Sequence, residues 1–225
     1  MNIASNISAT QERIARAAKT AGRQPEDITL VAVTKTVDAA CAAEVLKAGV
    51  TDLGENRVQS FLDKYETLGD VPNWHLIGHL QTNKVKYIVG KVKLIHSVDS
   101  LHLAEEINKK AKALGVCQDI LFQFNISGEE SKSGASPKEA EAIFERLSAL
   151  DGLRTRGLMT MAPLWADESE TRRVFAGLRE LSEKLAAAGY PGSTMEFLSM
   201  GMSGDFEAAI LEGANLVRIG SALFV

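Results

Sequence analysis

Short apolar runs alternate with amphipathic stretches along the whole chain. Eight runs have the length of strands, and most are apolar at successive positions rather than at every second one. That pattern is typical of parallel strands that are buried on both faces. The predicted strands are residues 28–35, 52–57, 74–80, 94–98, 119–126, 153–161, 195–200 and 216–224.

Signals for the starts and ends of helices fall between these runs. Ser136 and the proline after it are typical of a helix start, and Asp167 opens a stretch that ends before Gly189, as capping preferences predict. Ser8 is predicted to open an N-terminal helix that runs to about Gly22. Strands and helices therefore alternate without a break.

This alternation predicts parallel strands joined by right-handed crossovers. Eight such units favour an α/β fold, a (β/α)₈ TIM barrel with an extra N-terminal helix, formed as a single domain by residues 1–225. A doubly wound open sheet is the alternative, although the turn after Lys35 lacks the glycine pattern of a dinucleotide site. Because the last predicted strand runs to 224, no eighth helix is expected after it. We expect the N-terminal helix to cover part of that gap or the floor of the barrel.

Composition and charge narrow the classes of function. The chain has 25 Lys and Arg residues against 29 Asp and Glu, a net charge of −4, so no global positive field favours nucleic acid or an anionic membrane as a partner. It has no apolar stretch of about 18 residues and no secretory signal, so we expect a cytoplasmic protein. Cys41 and Cys117 are too few for a disulfide framework, and His75 and His79 lie too far apart on a strand to share a metal ion.

Three polar segments meet if the barrel closes and its first and last strands become neighbours. Lys35 ends the first predicted strand, residues 199–205 follow the seventh, and Arg218 lies in the eighth. Active sites of such barrels gather at the carboxyl ends of the strands, and phosphate often binds the last two loops. Glycine and serine in residues 199–205 and 220–221 suit a phosphate cradle. An ordinary turn in which Ser203 caps the next helix is the alternative.

Lys35 and Arg218 each allow two interpretations. Lys35 either extends to solvent or, beside a phosphate cradle, forms a Schiff base with a carbonyl compound that carries phosphate. Pyridoxal 5′-phosphate (PLP) and a sugar phosphate both fit that description. Arg218 either donates a hydrogen bond to a pyridine nitrogen, because a guanidinium can only donate, or forms a salt bridge with Glu196, Glu207 or another acid near the strand ends.

Longer motifs carry a resemblance to a known family. They occur in order as VAVTK (31–35), DLGENRVQ (52–59), WHLIGHLQTNK (74–84), HSVDS (96–100), NISGEESKSG (125–134), RGLMTMAP (156–163), FLSMGMSGD (197–205) and VRIGSALF (217–224). Over nearly its whole length the chain resembles the YggS/PROSC family of PLP homeostasis proteins. The resemblance implies a fold-type III PLP barrel like the N-terminal domain of alanine racemase.

The resemblance also implies roles for individual residues. Lys35 would hold PLP as a Schiff base, and Arg218 would face the pyridine nitrogen. The other implied binding residues are Ser199, Gly201, Gly220 and Ser221 at the phosphate, and Asn56 and Met159 beside the ring.

The function that follows from the resemblance is intracellular PLP homeostasis without an established catalytic reaction. Apo forms of PLP-dependent enzymes are the expected acceptors of PLP, and we expect a monomer or a weak homodimer. An amino-acid racemase of the alanine racemase type is the alternative, but it needs a second base, for which we can name only His79. A sugar-phosphate aldolase without a cofactor is a third interpretation. The polar loop 127–134 either covers the site or forms an exposed turn.

Overall fold

Eight parallel strands form the centre of the molecule, whose computed structural model describes residues 2–129 and 133–224. The strands are β1 Thr29–Val33, β2 Asp52–Glu55, β3 Asn73–Leu76, β4 Leu94–Val98, β5 Gln118–Gln123, β6 Leu153–Met159, β7 Ser193–Ser199 and β8 Leu216–Ile219. Each strand pairs with the next, and β8 returns to pair with β1, so that Thr29 lies opposite Leu216 and Ala32 opposite Ile219. The predicted closed barrel is therefore confirmed, and the open sheet is wrong.

Helices cover the outside of the barrel and connect its strands. They are α1 Ile3–Thr20, α2 Ala39–Lys47, α3 Val58–Leu68, α4 Leu101–Leu114, α5 Ala140–Leu147, α6 Glu168–Ala188, α7 Phe206–Leu211 and α8 Ser221–Phe224. Short 3₁₀ helices occur at Pro25–Asp27, Thr82–Tyr87 and Pro137–Glu139. Among the helices in the described ranges, none is both long and apolar enough to cross a lipid bilayer.

Two predictions about the ends of the chain are wrong. The first helix begins at Ile3 rather than at Ser8, because the Asn2 side chain accepts a hydrogen bond from the Ser5 backbone N–H at 3.0 Å and caps an earlier turn. The last strand ends at Ile219 rather than at 224, and the chain then turns into α8, so an eighth helix does follow the barrel.

The predicted packing of the N-terminal helix is confirmed. Helix α1 lies against α7 and α8 at the end of the barrel sequence. Asn6 donates a hydrogen bond to the backbone carbonyl of Leu223 at 3.2 Å, and Arg13 forms an ion pair with Glu207 at 2.7 Å. The first helix therefore covers the last βα unit.

The other predicted strands are present, but most end earlier than the pattern indicates. Strand β1 ends at residue 33 rather than 35, β2 at 55 rather than 57, and β3 at 76 rather than 80. The residues that follow leave the ladder and form loops at the carboxyl face of the barrel. Within loop 127–134, residues 130–132 lie outside the described part of the chain, so the two interpretations of that loop stay open.

The apolar core has two parts. A large outer cluster lies between the strands and the helices, and a smaller inner cluster fills part of the barrel axis. The inner cluster consists of Val31, Leu94, Leu121, Met159 and Leu216. Alternate strand residues point inward, and in several strands the inward residues are polar rather than apolar. Those polar residues lead to the site.

Candidate functional site

A cavity of about 700 Å³ opens at the carboxyl ends of the strands. Lys35 lines it from the loop after β1, Arg218 lines it from β8, and Gly220 and Ser221 line it where β8 passes into α8. Because β1 and β8 are paired, these groups meet at the seam where the barrel closes. This is the position predicted from the sequence.

Five of the eight predicted binding residues reach the wall of this cavity, and three do not. Those that line it are Lys35, Asn56, Arg218, Gly220 and Ser221. Met159 instead packs in the inner apolar cluster, and Met161, two residues further on, lines the cavity in its place. Ser199 and Gly201 are also buried away from the wall, in supporting positions.

Gly201 has a structural role and does not line the cavity. Its φ of 92° lies in the left-handed region, and a Cβ atom there would lie 2.6 Å from the Cβ of Ala209. Glycine therefore lets α7 pack closely against the loop after β7. The Gly201 carbonyl accepts a hydrogen bond from the backbone N–H of Arg218 at 3.0 Å, which fixes the backbone at that arginine.

Backbone donors converge on one hydroxyl at this end of the cavity. The N–H groups of Gly220 and Ala222 point to the Oγ atom of Ser203 at 3.3 and 3.5 Å. Ser203 does not cap α7, because Asp205 occupies the N-cap position. Ser203 and Gly204 also line the cavity. The two last loops of the barrel thus bring hydroxyl and N–H groups to one place, an arrangement that suits an anion.

Lys35 stands at the mouth of the cavity. Its side chain is exposed and also lines the wall, so a ligand that enters from solvent meets the amine directly. The residue before Lys35 is Thr34, and a hydrogen bond from α3 holds it in place. The Thr34 carbonyl accepts a hydrogen bond from Lys64 Nζ at 2.9 Å, and the same ammonium forms a buried ion pair with Glu55 at 2.6 Å.

Arg218 forms the buried, positively charged end of the cavity. Only 3% of its surface is exposed. Its Nη1 donates to Ser199 Oγ at 2.5 Å, and its Nη2 donates to the Thr160 carbonyl at 3.1 Å. Burial lowers the pKa of Arg218 to about 10, although the charge of Asp205 opposes that shift. The guanidinium therefore stays charged at neutral pH and can act only as a donor.

The predicted alternative for Arg218, a salt bridge with Glu196, Glu207 or another acid near the strand ends, is wrong, because Arg218 forms no ion pair among the described residues. Glu207 pairs with Arg13, and Glu196 pairs with Arg156. Both acids are therefore engaged by other arginines. The neutral oxygens of Ser199 and Thr160 hold Arg218 instead.

A chain of buried hydrogen bonds runs from Arg218 through the barrel interior to Asp52. Ser199 Oγ lies 2.8 Å from His96 Nδ1, His96 Nε2 lies 2.8 Å from His75 Nδ1, and His75 Nε2 lies 2.9 Å from Asp52 Oδ1. None of the residues between the two ends is more than 2% exposed. Ser199 is the last residue of β7 and Asp52 the first of β2, so the chain crosses from the carboxyl to the amino end of the barrel.

The direction of every hydrogen bond in this chain is determined. Burial lowers the pKa of His75 and lowers that of His96 well below its ordinary value, so each imidazole is neutral and has one N–H. For Asp52, burial would raise the pKa, but the hydrogen bond from His75 and the charge of Lys93 outweigh it and lower the pKa below its usual range. The ionised carboxylate accepts, so Arg218 donates to Ser199, and each donor along the chain points toward Asp52.

Most of these supporting residues are not evident from the sequence. His75 is close to His79 along one predicted strand, whereas in the structure it pairs with His96 of the neighbouring strand. A usable signal was present, because two imidazoles occupy apolar strands at positions that a barrel would bury. The partner of Lys64 could not be found this way, since Glu55 and Lys64 come together only through the packing of α3 on the barrel.

His79 lies in the loop after β3 rather than in the strand. Its side chain is 63% exposed, and its Nδ1 lies 3.6 Å from Asp99 Oδ2. Both residues line the cavity on the side away from Arg218's strand. His79 is therefore an imidazole at the mouth of the site.

Comparison with known proteins identifies the family. The alanine racemase N-terminal domain family matches residues 5–225. The pyridoxal phosphate homeostasis protein of Aquifex aeolicus is 44% identical over 225 residues, which cover 100% of this chain and 98% of that one. The structure of PipY from Synechococcus elongatus with PLP bound is 35% identical, with a TM-score of 0.88 and full coverage of both chains.

A more distant likeness concerns the fold alone. Alanine racemase of Clostridium difficile is 21% identical with a TM-score of 0.77, and the match covers 99% of this chain but 56% of the racemase. The barrel is thus of the alanine racemase N-terminal type, as predicted. On the strength of the full-length matches, this chain belongs to the family of pyridoxal phosphate homeostasis proteins, within the alanine racemase N-terminal domain group.

Proposed function

We propose that the chain binds PLP in the cavity at the β1–β8 seam, holds it covalently on Lys35, and thereby serves PLP homeostasis. The observation that carries this function is the meeting of an accessible amine, a buried guanidinium and a Gly220–Ser221 segment beside the Ser203 hydroxyl in one cavity of about 700 Å³. Relatives matched over their full length are named for PLP homeostasis, and the PipY structure contains PLP.

The cavity offers a partner for each functional group of PLP. The N–H groups of Gly220 and Ala222 with the hydroxyls of Ser203 and Ser221 suit the phosphate, and Lys35 suits the aldehyde. The Lys35 amine would add to the aldehyde carbon and release one water, forming a carbon–nitrogen bond. The remaining wall, which includes Val33, Ile77, Met161 and the side chain of Asn56, suits the faces and edge of a ring.

Arg218 fits the pyridine nitrogen in a way that bears on catalysis. Bound PLP supplies an electron sink for reactions at the α-carbon of an amino acid. A donor that cannot give up its proton leaves the ring nitrogen unprotonated and so weakens this electron sink. We therefore propose storage and delivery of PLP rather than catalysis, with apo forms of PLP-dependent enzymes as acceptors. The exposed position of Lys35 at the mouth supports release as well as loading.

The covalent link is tested by reduction and mass spectrometry. Purified protein incubated with PLP and then borohydride should gain one pyridoxyl-phosphate mass on the peptide that contains Lys35. Lys35→Ala should abolish the adduct, and Lys47→Ala, which changes an exposed lysine of α2, should retain it. Label on any other lysine would overturn the assignment.

The same protein preparation tests whether the chain delivers PLP. Unreduced protein loaded with PLP should restore the activity of an apo-enzyme, whereas the reduced protein should not.

The racemase alternative depends on His79 as a second base. Rapid exchange of the α-hydrogen of alanine in deuterated water, lost in His79→Gln, would replace the delivery function with catalysis.

A further inference from the structure

A second cavity of about 380 Å³ adjoins the PLP cavity and has a different chemical character. It lies between the start of α3 and the 3₁₀ helix Thr82–Tyr87. Asn56 and His79 line both cavities, so they form the shared wall. We call this second cavity the side cavity.

Positively charged side chains and other hydrogen-bond donors line the side cavity. Arg57, Lys84 and Gln81 line it, and none of the described residues in its lining has a carboxylate. Arg57 and Lys84 form no ion pair with any described residue, although the chain as a whole has a net charge of −4. The ammonium groups of Lys84 and Lys86 lie 5.7 and 5.0 Å from the centre of the Tyr87 ring, and of the two only Lys84 lines the side cavity. A local positive charge in an acidic protein favours a small anion.

The backbone holds the two loops that build the side cavity in a fixed relation. A Cβ atom on Gly78 would lie 2.2 Å from the carbonyl oxygen of Asn56, so only glycine permits this approach. The loop after β2, which carries Arg57, is therefore packed directly on the loop after β3, which leads to Gln81 and Lys84.

The PLP site uses little of the two segments that form the side cavity. Residues 52–59 and 74–84 are two of the longer motifs in the sequence. Their residues Arg57, Gln81 and Lys84 do not line the proposed PLP site. Guanidinium, ammonium and amide groups are the donors that bind phosphate and carboxylate oxygens in proteins.

We propose that the side cavity binds the oxyanion of a second small ligand, a phosphate monoester or a carboxylate, beside PLP. This inference rests on the proposed function for the neighbouring cavity, but its residues are separate. The phosphate would come from a second PLP-like molecule on its way in or out, and the carboxylate from an amino acid. Arg57 and Lys84 bind the oxyanion, and Asn56 separates it from the first ligand.

The test uses protein in which borohydride has fixed PLP on Lys35, so the first cavity is filled. Isothermal titration calorimetry with pyridoxine 5′-phosphate, which has no aldehyde, should show one saturable site. Arg57→Gln and Lys84→Gln should each weaken binding by about tenfold or more, the usual effect of losing one charged donor. Lys86→Gln is the matched control, because Lys86 lies on the same 3₁₀ helix and contacts the same Tyr87 ring but does not line the side cavity.

Parallel titrations with inorganic phosphate and with L-alanine distinguish the two sources of the oxyanion. Binding of the phosphates alone assigns a phosphate site, and binding of alanine alone assigns a carboxylate site. No saturable binding, or equal weakening by Lys86→Gln, would overturn the proposal. Lys35→Ala protein keeps this test separate from the PLP assignment, because pyridoxine 5′-phosphate should occupy two sites there and one after Arg57→Gln is added.

Discussion

The Ser199 hydroxyl links two buried groups, the Arg218 guanidinium and the His96 imidazole. It accepts from the Arg218 guanidinium at 2.5 Å and donates to His96 at 2.8 Å. A buried donor that loses its partner keeps its desolvation penalty, which amounts to about 1–3 kcal/mol. We therefore expect Ser199→Ala to lower the free energy of unfolding by about that amount and to weaken PLP binding, because Arg218 loses one of its two anchors.

The same strand supplies a matched control for this prediction. Ser193 begins β7, and its buried hydroxyl has no hydrogen-bond partner in the described part of the chain. Ser193→Ala removes the same oxygen atom without breaking a bond, so its stability should change by less than about 0.5 kcal/mol. Urea unfolding and PLP titration of both variants give the comparison. Equal losses in the two would show that Ser199 does not hold Arg218 in place.

At the scale of elements, Lys64 fastens α3 to the strand ends that carry the site. Its ammonium pairs with Glu55 at 2.6 Å and donates to the Thr34 carbonyl at 2.9 Å, and neither side chain is more than 7% exposed. Removal of one member leaves an uncompensated buried charge, which costs about 3–5 kcal/mol. We expect Lys64→Met to lose stability on that scale and to lower the rate at which Lys35 reacts with PLP, because the loop before it loosens.

Two further variants show whether the pair itself is responsible. Adding Glu55→Gln to Lys64→Met removes the unpaired charge and should restore part of the lost stability. Lys109→Met breaks an exposed pair with Glu106 at 3.9 Å on α4, and a surface pair of this kind contributes less than about 1 kcal/mol. Unfolding curves in which Lys64→Met and Lys109→Met lose the same stability would contradict the role of the buried pair.

The elements also show what a sequence can and cannot predict here. Short apolar runs predicted all eight strands and their closure, because most of the strands are buried on both faces and leave a local signal. Most predicted strand ends are too late, since no signal in the sequence separates the last residue of the ladder from polar residues such as Lys35 and Asn56 that follow it. The side chain that reaches the cavity wall depends on where the strand ends, and Met161, two residues beyond Met159, lines it. Partners on different elements, such as Lys64 and Glu55, leave no local trace.

For the whole molecule, the two neutral histidines make stability depend on pH. Burial lowers the pKa of both His75 and His96 in the folded protein, whereas the unfolded chain titrates near about 6.5. Below that pH the unfolded state binds protons that the folded state does not, so the free energy of unfolding falls as the pH falls. Each histidine contributes up to about 1.4 kcal/mol per pH unit.

We therefore expect urea unfolding at pH 7.5, 6.5 and 5.5 to give a stability that declines most steeply at the acid end. His96→Gln keeps a donor and an acceptor at this position but no longer titrates, so the slope below pH 6.5 should fall by about half. His102→Gln changes an exposed imidazole of α4 and should leave the slope unchanged. The slope is the diagnostic quantity, because any change in packing shifts all three stabilities together. Equal slopes for His96→Gln and His102→Gln would show that the buried imidazoles are not neutral. They would also contradict the direction assigned to the buried hydrogen bonds.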